Sequence, residues 1–258
     1  MLVLALVLAC SGDAANNTAS GGEAKRRSSA GAVELKSAPY AARALQQIGS
    51  IAGVVRLDGD PPADSLVITG ADQEFCGPAF PDSSVVRTSD SLANVVVWLA
   101  DVREGKALPV ERRTEIVNLN CRLSPRVHAV VAGTTVNVRN DDRLHHVTHF
   151  ATAGTSDTLA RVPLSDDGQV VPNEHIAKES GLVVATCELH PWTRAYIAVF
   201  ASPYFAVTDA RGGFRLDSVP PGKYRLVAWH ERGTRQTQQT VEVAANGVTT
   251  VELRLKVR

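Results

Sequence analysis

Several features are scarce or absent in this sequence, and each absence narrows the choice of fold and function. The 27 Lys and Arg residues balance 27 Asp and Glu residues, so no nucleic acid or anionic membrane surface is expected as a partner. The apolar run at the start, Met1–Ala9, is too short to span a bilayer. No long segment has the 3.6-residue periodicity of an amphipathic helix, which excludes a helical bundle.

Motifs of common enzyme classes are also missing. The chain has no Gly-x-Ser-x-Gly nucleophile elbow and no glycine-rich loop that could cradle a phosphate. A cysteine-protease interpretation of Cys187 lacks the helix expected after the nucleophile. We therefore expect no enzymatic activity.

The N-terminus has the pattern of an export signal. "MLVLALVLAC" is an apolar stretch that ends in a cysteine, which is typical of the core of a signal peptide. Its end, "VLAC", resembles a bacterial lipobox, so Cys10 is expected to carry a lipid. The alternative is a plain signal peptide or a start that lies further upstream, because no Lys or Arg precedes the run. The expected location is the periplasmic side of the envelope, and Ser11 favours the outer membrane.

Three cysteines follow Cys10, so at least one of them has no partner for an intramolecular disulfide. Beyond Cys10 the chain has Cys76, Cys121 and Cys187, and an odd cysteine in an oxidising compartment is a reactive thiol, an intermolecular link or a metal ligand. Cys76 and Cys121 are the natural disulfide pair, although the sequence leaves other pairings open. Cys187 then becomes the candidate ligand.

Short β-rich runs dominate the chain from Ile51 onward, with Gly, Pro, Asp and Asn between them. This spacing predicts an all-β fold of sandwiches or barrels. Residues 11–47 are small, polar and aperiodic and are expected to form a disordered tether, with a short helix near Tyr40–Gln47 as an option. The predicted organisation is a signal peptide over 1–10, the tether over 11–47, one β module over 112–200, and a second over 201–258 to which the strands of 48–111 belong.

Two separate stretches carry candidate metal ligands. "VAGTTVNVRNDDRLHHVTHF" is an alternating strand that leads through an Asn-Asp turn to His145 and His146. Some forty residues later, "ATCELHPWTRAYIAVF" places Cys187 at the end of an apolar strand and His190 three residues on. A thiolate with two imidazoles in a stiff scaffold is the donor set of a copper site that transfers electrons.

These stretches resemble a known family. Residues 112–200 resemble a cupredoxin, a Greek-key β-sandwich: "GTTVNVRNDDRLHHV" resembles the family's first-histidine segment, and "CELHPWT" resembles the amicyanin-type loop. The tail resembles a transthyretin-like (prealbumin-like), carboxypeptidase-regulatory-like module. The combination resembles exported proteins described as methylamine-utilization- or plastocyanin-like. The resemblance implies one type 1-like copper ion bound by His145, Cys187 and His190.

The chain departs from the family pattern at two positions. The family's axial methionine falls on Thr193, and the chain has no methionine after Met1. A trigonal blue site is compatible with a weak or absent axial ligand, so Thr193 is expected to occupy the axial region. The second departure is His146, where an asparagine is often found. His146 is also the alternative to His145 as ligand, while His149 is expected to be an exposed strand residue.

The expected function is single-electron transfer in the periplasm or at the envelope, with a redox partner protein that the sequence does not identify. A multicopper oxidase is excluded because no His-x-His pair occurs. The alternative is a copper-free β-sandwich lipoprotein that acts as an adhesion, carbohydrate-binding or protein-binding module. Copper storage or delivery is a third interpretation, although storage proteins tend to carry many Met or His ligands.

Overall fold

The strands of the first part of the chain are short and are interrupted by turns. A computed structural model describes Leu35 and residues 39–258. The elements that precede residue 112 are β1 (Ala41–Ala42), β2 (Gly49–Leu57), β3 (Leu66–Ile68), α1 (Gln73–Cys76), β4 (Ala79–Pro81), β5 (Arg87–Thr88), β6 (Ser91–Leu92), β7 (Val96–Leu99) and β8 (Glu104–Gly105).

Nine strands follow between residues 113 and 200, and most of them are longer. They are β9 (Arg113–Leu119), β10 (Arg122–Ser124), β11 (Val127–Val131), β12 (Thr134–Asn140), β13 (His146–Thr152), β14 (Thr158–Leu164), β15 (Val170–Ala177), β16 (Gly181–Cys187) and β17 (Arg194–Phe200). The last five strands are β18 (Phe205–Val207), β19 (Gly213–Val219), β20 (Gly222–Trp229), β21 (Thr237–Val243) and β22 (Val248–Leu255).

Strand pairing joins the first and last parts of the chain into one β-sandwich, the flanking sandwich. β2 pairs in parallel with β22 and antiparallel with β19, while β7 lies between β18 and β20 in the opposite sheet, order β18-β7-β20-β21. The alternation at the C-terminus is confirmed: Val251, Leu253, Leu255 and Val257 are buried and the residues between them are exposed. Their inward face packs into a core with Ile51.

Residues 113–200 form a second sandwich, the inserted sandwich, between the two halves of the first. Its sheets have the orders β10-β9-β12-β15 and β11-β17-β16-β13-β14. Its own apolar core includes Ile116, Phe150 and Ile197. β13 runs antiparallel to β16 with Thr148 opposite Cys187, so the start of β13 lies beside the end of β16. The expected all-β fold of two sandwiches is confirmed.

A third apolar cluster joins the two sandwiches. Trp98 and Trp229 of the flanking sandwich pack with Phe200 of the inserted one. Arg126 and Glu231 form a bidentate ion pair across the same boundary, and the Glu231 side chain is only 3% exposed. The boundary therefore combines buried aromatic surface with a paired charge, and the two sandwiches pack as neighbours rather than as separate bodies.

Residues 39–47, the part of the expected tether that the structure describes without a gap, include a short strand that pairs with β8. Ala41–Ala42 pairs in parallel with Glu104–Gly105, and the Tyr40 hydroxyl donates to the carbonyl of Lys106. Among the described residues between Tyr40 and Gln47 no helix occurs, because Tyr40 packs on the flanking core and draws the adjacent backbone onto β8. Cys10 and the signal segment lie outside the described residues.

Within the described part of the chain, helical structure is confined to the four-residue α1. No helix in that part is long and apolar enough to cross a membrane.

Candidate metal centre

Three ligand-type side chains meet at one end of the inserted sandwich: His146, Cys187 and His190. The sulfur of Cys187 lies 3.7 Å from Nδ1 of His146 and 3.4 Å from Nδ1 of His190, and the two nitrogens are 3.1 Å apart. In the described part of the chain, these are the three ligand-type side chains whose nitrogen and sulfur atoms all lie within 4.8 Å of one another, close enough to bind one metal ion.

Neighbouring strands bring Cys187 and His146 together. Cys187 is the last residue of β16, an apolar strand, and His146 is the first residue of β13 beside it. The backbone N–H of Val147 donates to the Cys187 sulfur at 3.4 Å. The position of the sulfur is therefore fixed by a β ladder, whose backbone hydrogen bonds resist displacement.

The loop after Cys187 supplies the third side chain. The N–H of Cys187 donates to the Thr193 hydroxyl at 3.0 Å, and the N–H of Thr193 donates to the carbonyl of His190 at 2.9 Å. Thr193 is buried, and its hydroxyl oxygen joins the two ends of this six-residue loop. The hydrogen bond gives Thr193 a role that sequence reasoning missed, while its axial contact with a metal stays a prediction.

The early histidine of the group is His146 rather than the expected His145. His145 precedes the strand and is exposed, whereas His146 is fully buried. Side chains alternate along a strand, and Thr148 and Phe150 share the buried face with His146. The large apolar Phe150 therefore indicates which face of the strand is the core face. In the sequence this parity favours His146, and the register of the folded strand decides the choice.

A buried carboxylate supports His146. Oδ2 of Asp142 lies 3.1 Å from Nε2 of His146, and the same carboxylate accepts backbone N–H groups from Asn120 and Cys121. Asn120 and Cys121 have φ of 51° and 58° and form the two-residue turn between β9 and β10. Both central residues of a type I′ turn require positive φ, and their N–H groups here point at one anion.

A second carboxylate supports His190. Oδ2 of Asp72 lies 3.0 Å from Nε2 of His190. Asp72 precedes α1, in the early part of the chain, and its side chain is 46% exposed. Sequence reasoning identified neither aspartate. Asp142 lies four residues before His146, a spacing that offered a weak signal, but nothing in the sequence connects Asp72 with a histidine 118 residues away.

The two carboxylates fix which ring nitrogen faces the cysteine. An ionised carboxylate only accepts hydrogen bonds, so Nε2 of each imidazole must carry a proton. In a neutral imidazole the other nitrogen, Nδ1, then has its lone pair free. Both Nδ1 atoms point toward the Cys187 sulfur. The aspartates thus set both rings in the tautomer that a metal ion requires.

Hydrogen bonds within the group set its charge. Burial would raise the pKa of the Cys187 thiol, but its contacts with His146 and then His190 lower it to about 5. Burial would lower the pKa of His146, yet hydrogen bonds with Asp142 and Cys187 raise it to about 9. The contact with Cys187 also raises the pKa of His190, against the effect of burial. These shifts favour a thiolate paired with protonated histidine in the metal-free centre. A metal ion that binds the thiolate would take the place of the proton on Nδ1.

The donor set fits a single metal ion. The three distances define a triangle whose centre is about 2 Å from each donor atom, close to the lengths of metal bonds to imidazole nitrogen and thiolate sulfur. Cys187 is 2% exposed and both histidines are 0% exposed. Two imidazoles and one thiolate in a trigonal, buried arrangement are typical of copper sites for electron transfer.

The remaining candidate residues lie elsewhere. Cys76 and Cys121 form a disulfide, and Cys187 is the free cysteine among the described residues. His149 bonds Thr158 at the surface of the sheet, away from the buried face of β13. Cys10 lies outside the described residues.

Comparison with known proteins adds one domain match and several structural likenesses. The family model of the carboxypeptidase regulatory-like domain matches residues 180–256, less than a third of the chain. This match begins one residue before β16 of the inserted sandwich and runs through the last strands of the flanking one. No curated protein sequence matches the chain.

Solved copper-protein structures are similar to about a third of the chain. A purple cupredoxin from Nitrosopumilus maritimus is 24% identical, with a TM-score of 0.29, 33% of this chain covered and 98% of that one. Amicyanin from Paracoccus versutus is 18% identical, with a TM-score of 0.29, 36% of this chain covered and 84% of that one. A copper-containing nitrite reductase from Thermus scotoductus is 18% identical, with a TM-score of 0.30, 34% of this chain covered and only 22% of the reductase.

Proposed function

We propose that the protein binds one copper ion through Nδ1 of His146, Nδ1 of His190 and Sγ of Cys187, and that it carries single electrons. One observation carries the proposal: these three donor atoms form a buried triangle of metal-binding size. The sequence resemblance of residues 112–200 to cupredoxins supports the same metal.

The residues around the centre favour electron transfer because they keep the donor atoms in place. Copper bound here would supply the exchange of one electron between Cu(I) and Cu(II). The ladder between β13 and β16 fixes the thiolate, Asp142 and Asp72 fix the two rings, and Thr193 closes the loop. A site that does not move between oxidation states has a small reorganisation cost.

Burial supports an electron carrier rather than an enzyme. The side chains that would bind the metal are at most 2% exposed, so a substrate molecule has no direct approach to them. An electron needs no such opening. Half-buried Trp192 packs edge-on against His190, with ring centroids 5.2 Å apart, and extends the centre toward the surface through an aromatic ring.

The cellular setting is part of the proposal and rests on the sequence alone. Export, lipid attachment at Cys10 and a position on the periplasmic side, at the outer membrane, follow from the N-terminal pattern. The zero net charge gives no support for nucleic acid as a partner. The partner would be a redox protein, and the flanking sandwich would act as a spacer or docking surface.

The test is a titration of the purified protein with Cu(II), followed by visible absorption. An intense thiolate-to-copper band should saturate at one equivalent and be absent from Cys187→Ala and His146→Ala. His145→Ala is the matched control and should keep the band, because that side chain is exposed one residue outside the group. A band lost in His145→Ala and kept in His146→Ala would reverse the assignment of the early histidine.

Two other outcomes would select other functions. If wild-type protein shows no band and no metal affinity, electron transfer is wrong and the copper-free binding module becomes the better interpretation. If copper binds without a reversible one-electron couple in voltammetry, storage or delivery is the better interpretation.

A further inference from the structure

The segment that carries Asp72 belongs to the first part of the chain but lies against the inserted sandwich. We call residues 69–77, between β3 and β4, the cap. Asp72 contacts His190 and Cys76 is joined to Cys121. Gly70 lies beside Trp192, since a Cβ at that glycine would be 3.9 Å from the indole ring. The cap thus touches the inserted sandwich at three points around the third ligand-type side chain.

Asp72 has a conformation that serves His190 rather than its own helix. An aspartate before a helix ordinarily accepts a hydrogen bond from the first turn. Asp72 makes no such cap and has φ 50° and ψ 36°, a left-handed conformation that costs free energy for most residues and is tolerated best by Asn and Asp. Its carboxylate is directed to Nε2 of His190 instead.

The cap is closed on itself, so the position of Asp72 is well determined. The Asp72 carbonyl accepts the N–H of Cys76 at 2.8 Å. Buried Thr69 joins the two ends of the cap: its N–H donates to Pro78, and its hydroxyl donates to the carbonyl of Gly77. The side-chain amide of Gln73 donates to the Thr69 carbonyl at 2.7 Å.

One disulfide ties the cap to the support of the other histidine. Cys121 donates its N–H to Asp142, the carboxylate that bonds His146, and its carbonyl accepts the indole N–H of Trp192. Cys76, at the other end of the bridge, ends the helix that Asp72 begins. The Cys76–Cys121 bridge therefore connects the two carboxylates that orient the two imidazoles.

We propose that Asp72 is a positioning residue for His190, and that the Cys76–Cys121 disulfide keeps it in place, so that the cap closes the metal centre on its His190 side. The proposal rests on the proposed metal site, but its first prediction concerns the metal-free protein. With the cap in place, the His190 ring cannot turn or exchange its Nε2 proton freely. Without it, the ring should become mobile and open to solvent.

The first experiment measures exchange of the His190 Nε2 proton with water, by NMR on the full metal-free chain. We expect slow exchange in wild type and at least tenfold faster exchange in Asp72→Ala. Asp72→Asn retains an acceptor oxygen and should recover part of the protection. Glu74→Ala removes an exposed carboxylate of the same cap and should leave exchange at the wild-type rate. Equal exchange in wild type and Asp72→Ala would overturn the proposal.

The second experiment measures Cu(I) affinity by competition with a chromogenic chelator. Loss of a hydrogen-bond partner of a ligating histidine typically weakens metal binding by about 10–100-fold. Asp72→Ala should fall in this range, Asp72→Asn should lose less, and Glu74→Ala should bind as wild type does. An Asp72→Ala variant with wild-type affinity would show that Asp72 does not position a ligand.

The third experiment opens the bridge with Cys76→Ser and Cys121→Ser together. Exchange of the His190 proton should accelerate to the Asp72→Ala rate. Unchanged exchange would overturn the role given to the disulfide. If wild type binds no Cu(I), the proposed function fails, yet proton exchange still decides whether Asp72 holds His190. If metal binds and exchange is insensitive to Asp72, the function stands and this inference fails.

Discussion

The two histidines of the centre have the same kind of partner but obtain it in different ways. Asp142 lies four residues before His146, is 1% exposed, and also accepts two backbone N–H groups. Asp72 comes from a segment 118 residues from His190, is 46% exposed, and lies in a cap that a disulfide joins to the inserted sandwich. The partner of His146 therefore belongs to the inserted sandwich itself, whereas the partner of His190 comes from the cap, outside that sandwich.

This contrast indicates which side of the centre can change. Buried polar groups that satisfy several hydrogen bonds rigidify their surroundings and are costly to disturb. A half-exposed carboxylate costs little to move, because water can replace its partner. The His146 side should therefore determine whether the centre forms, and the His190 side should determine how open it is.

The largest expected effect comes from the bridge that joins the two sides. The disulfide closes a loop of 45 residues, and removing such a cross-link is expected to lower the free energy of unfolding by about 4 kcal/mol. Urea denaturation of the Cys76→Ser, Cys121→Ser protein measures this. Wild type unfolded under a reducing agent is the control and should show the same loss. A loss below about 1 kcal/mol would mean that the bridge does not constrain the unfolded chain.

Replacing the buried carboxylate should have the next largest effect. Asp142→Asn leaves an amide group facing N–H donors, so at least one buried donor loses its acceptor. We expect the metal-free protein to lose about 2–3 kcal/mol of unfolding free energy, measured by urea denaturation. If Asp142→Asn is as stable as wild type, the two sides of the centre do not differ in the way described.

Replacing the half-exposed carboxylate should cost much less. Asp72→Ala is expected to lower the free energy of unfolding by less than about 1 kcal/mol, because solvent reaches the side chain. The same denaturation series measures it beside Asp142→Asn. Equal losses in the two variants would remove the distinction between a built-in and an added partner.

The smallest effect is expected at the histidine next to the centre. His145 is exposed and precedes the strand, and a surface substitution of this kind usually changes stability by less than about 0.5 kcal/mol. His145→Ala should therefore match wild type in urea denaturation, whereas His146→Ala should not. A clear loss in His145→Ala would indicate a contact that its exposure does not suggest.

The sequence predicts part of this centre well. Cys187 ends a strand and His190 follows three residues later, so their spacing alone indicates that they can bind the same metal ion. The odd cysteine count favours Cys76–Cys121 as the bridge that leaves Cys187 free, and the structure has that pair. Alternating short strands predict the all-β fold, because their period follows from strand geometry.

Other parts lie beyond sequence reasoning for physical reasons. His145 and His146 differ by one residue, and the choice depends on the register of one strand, which sets every side chain on one face or the other. The contact of Asp72 with His190 depends on the tertiary path of the cap, which no local pattern encodes. The sequence predicts an axial position for Thr193, but the hydrogen bond from the Cys187 N–H to its hydroxyl exists only once the loop is closed.

The interruption of the flanking sandwich has a consequence for the order of folding. Arg56 of β2 bonds Glu252 of β22, 196 residues away. The flanking sandwich therefore cannot be completed until its last strand is available, and pairings between such distant segments form slowly. The inserted sandwich pairs strands within residues 113–200, so it can fold as a unit and is expected to form first. Cys121 would then already be in place when Cys76 must find it. The Cys76–Cys121 disulfide would thus attach the still incomplete flanking sandwich to an inserted sandwich that has already folded.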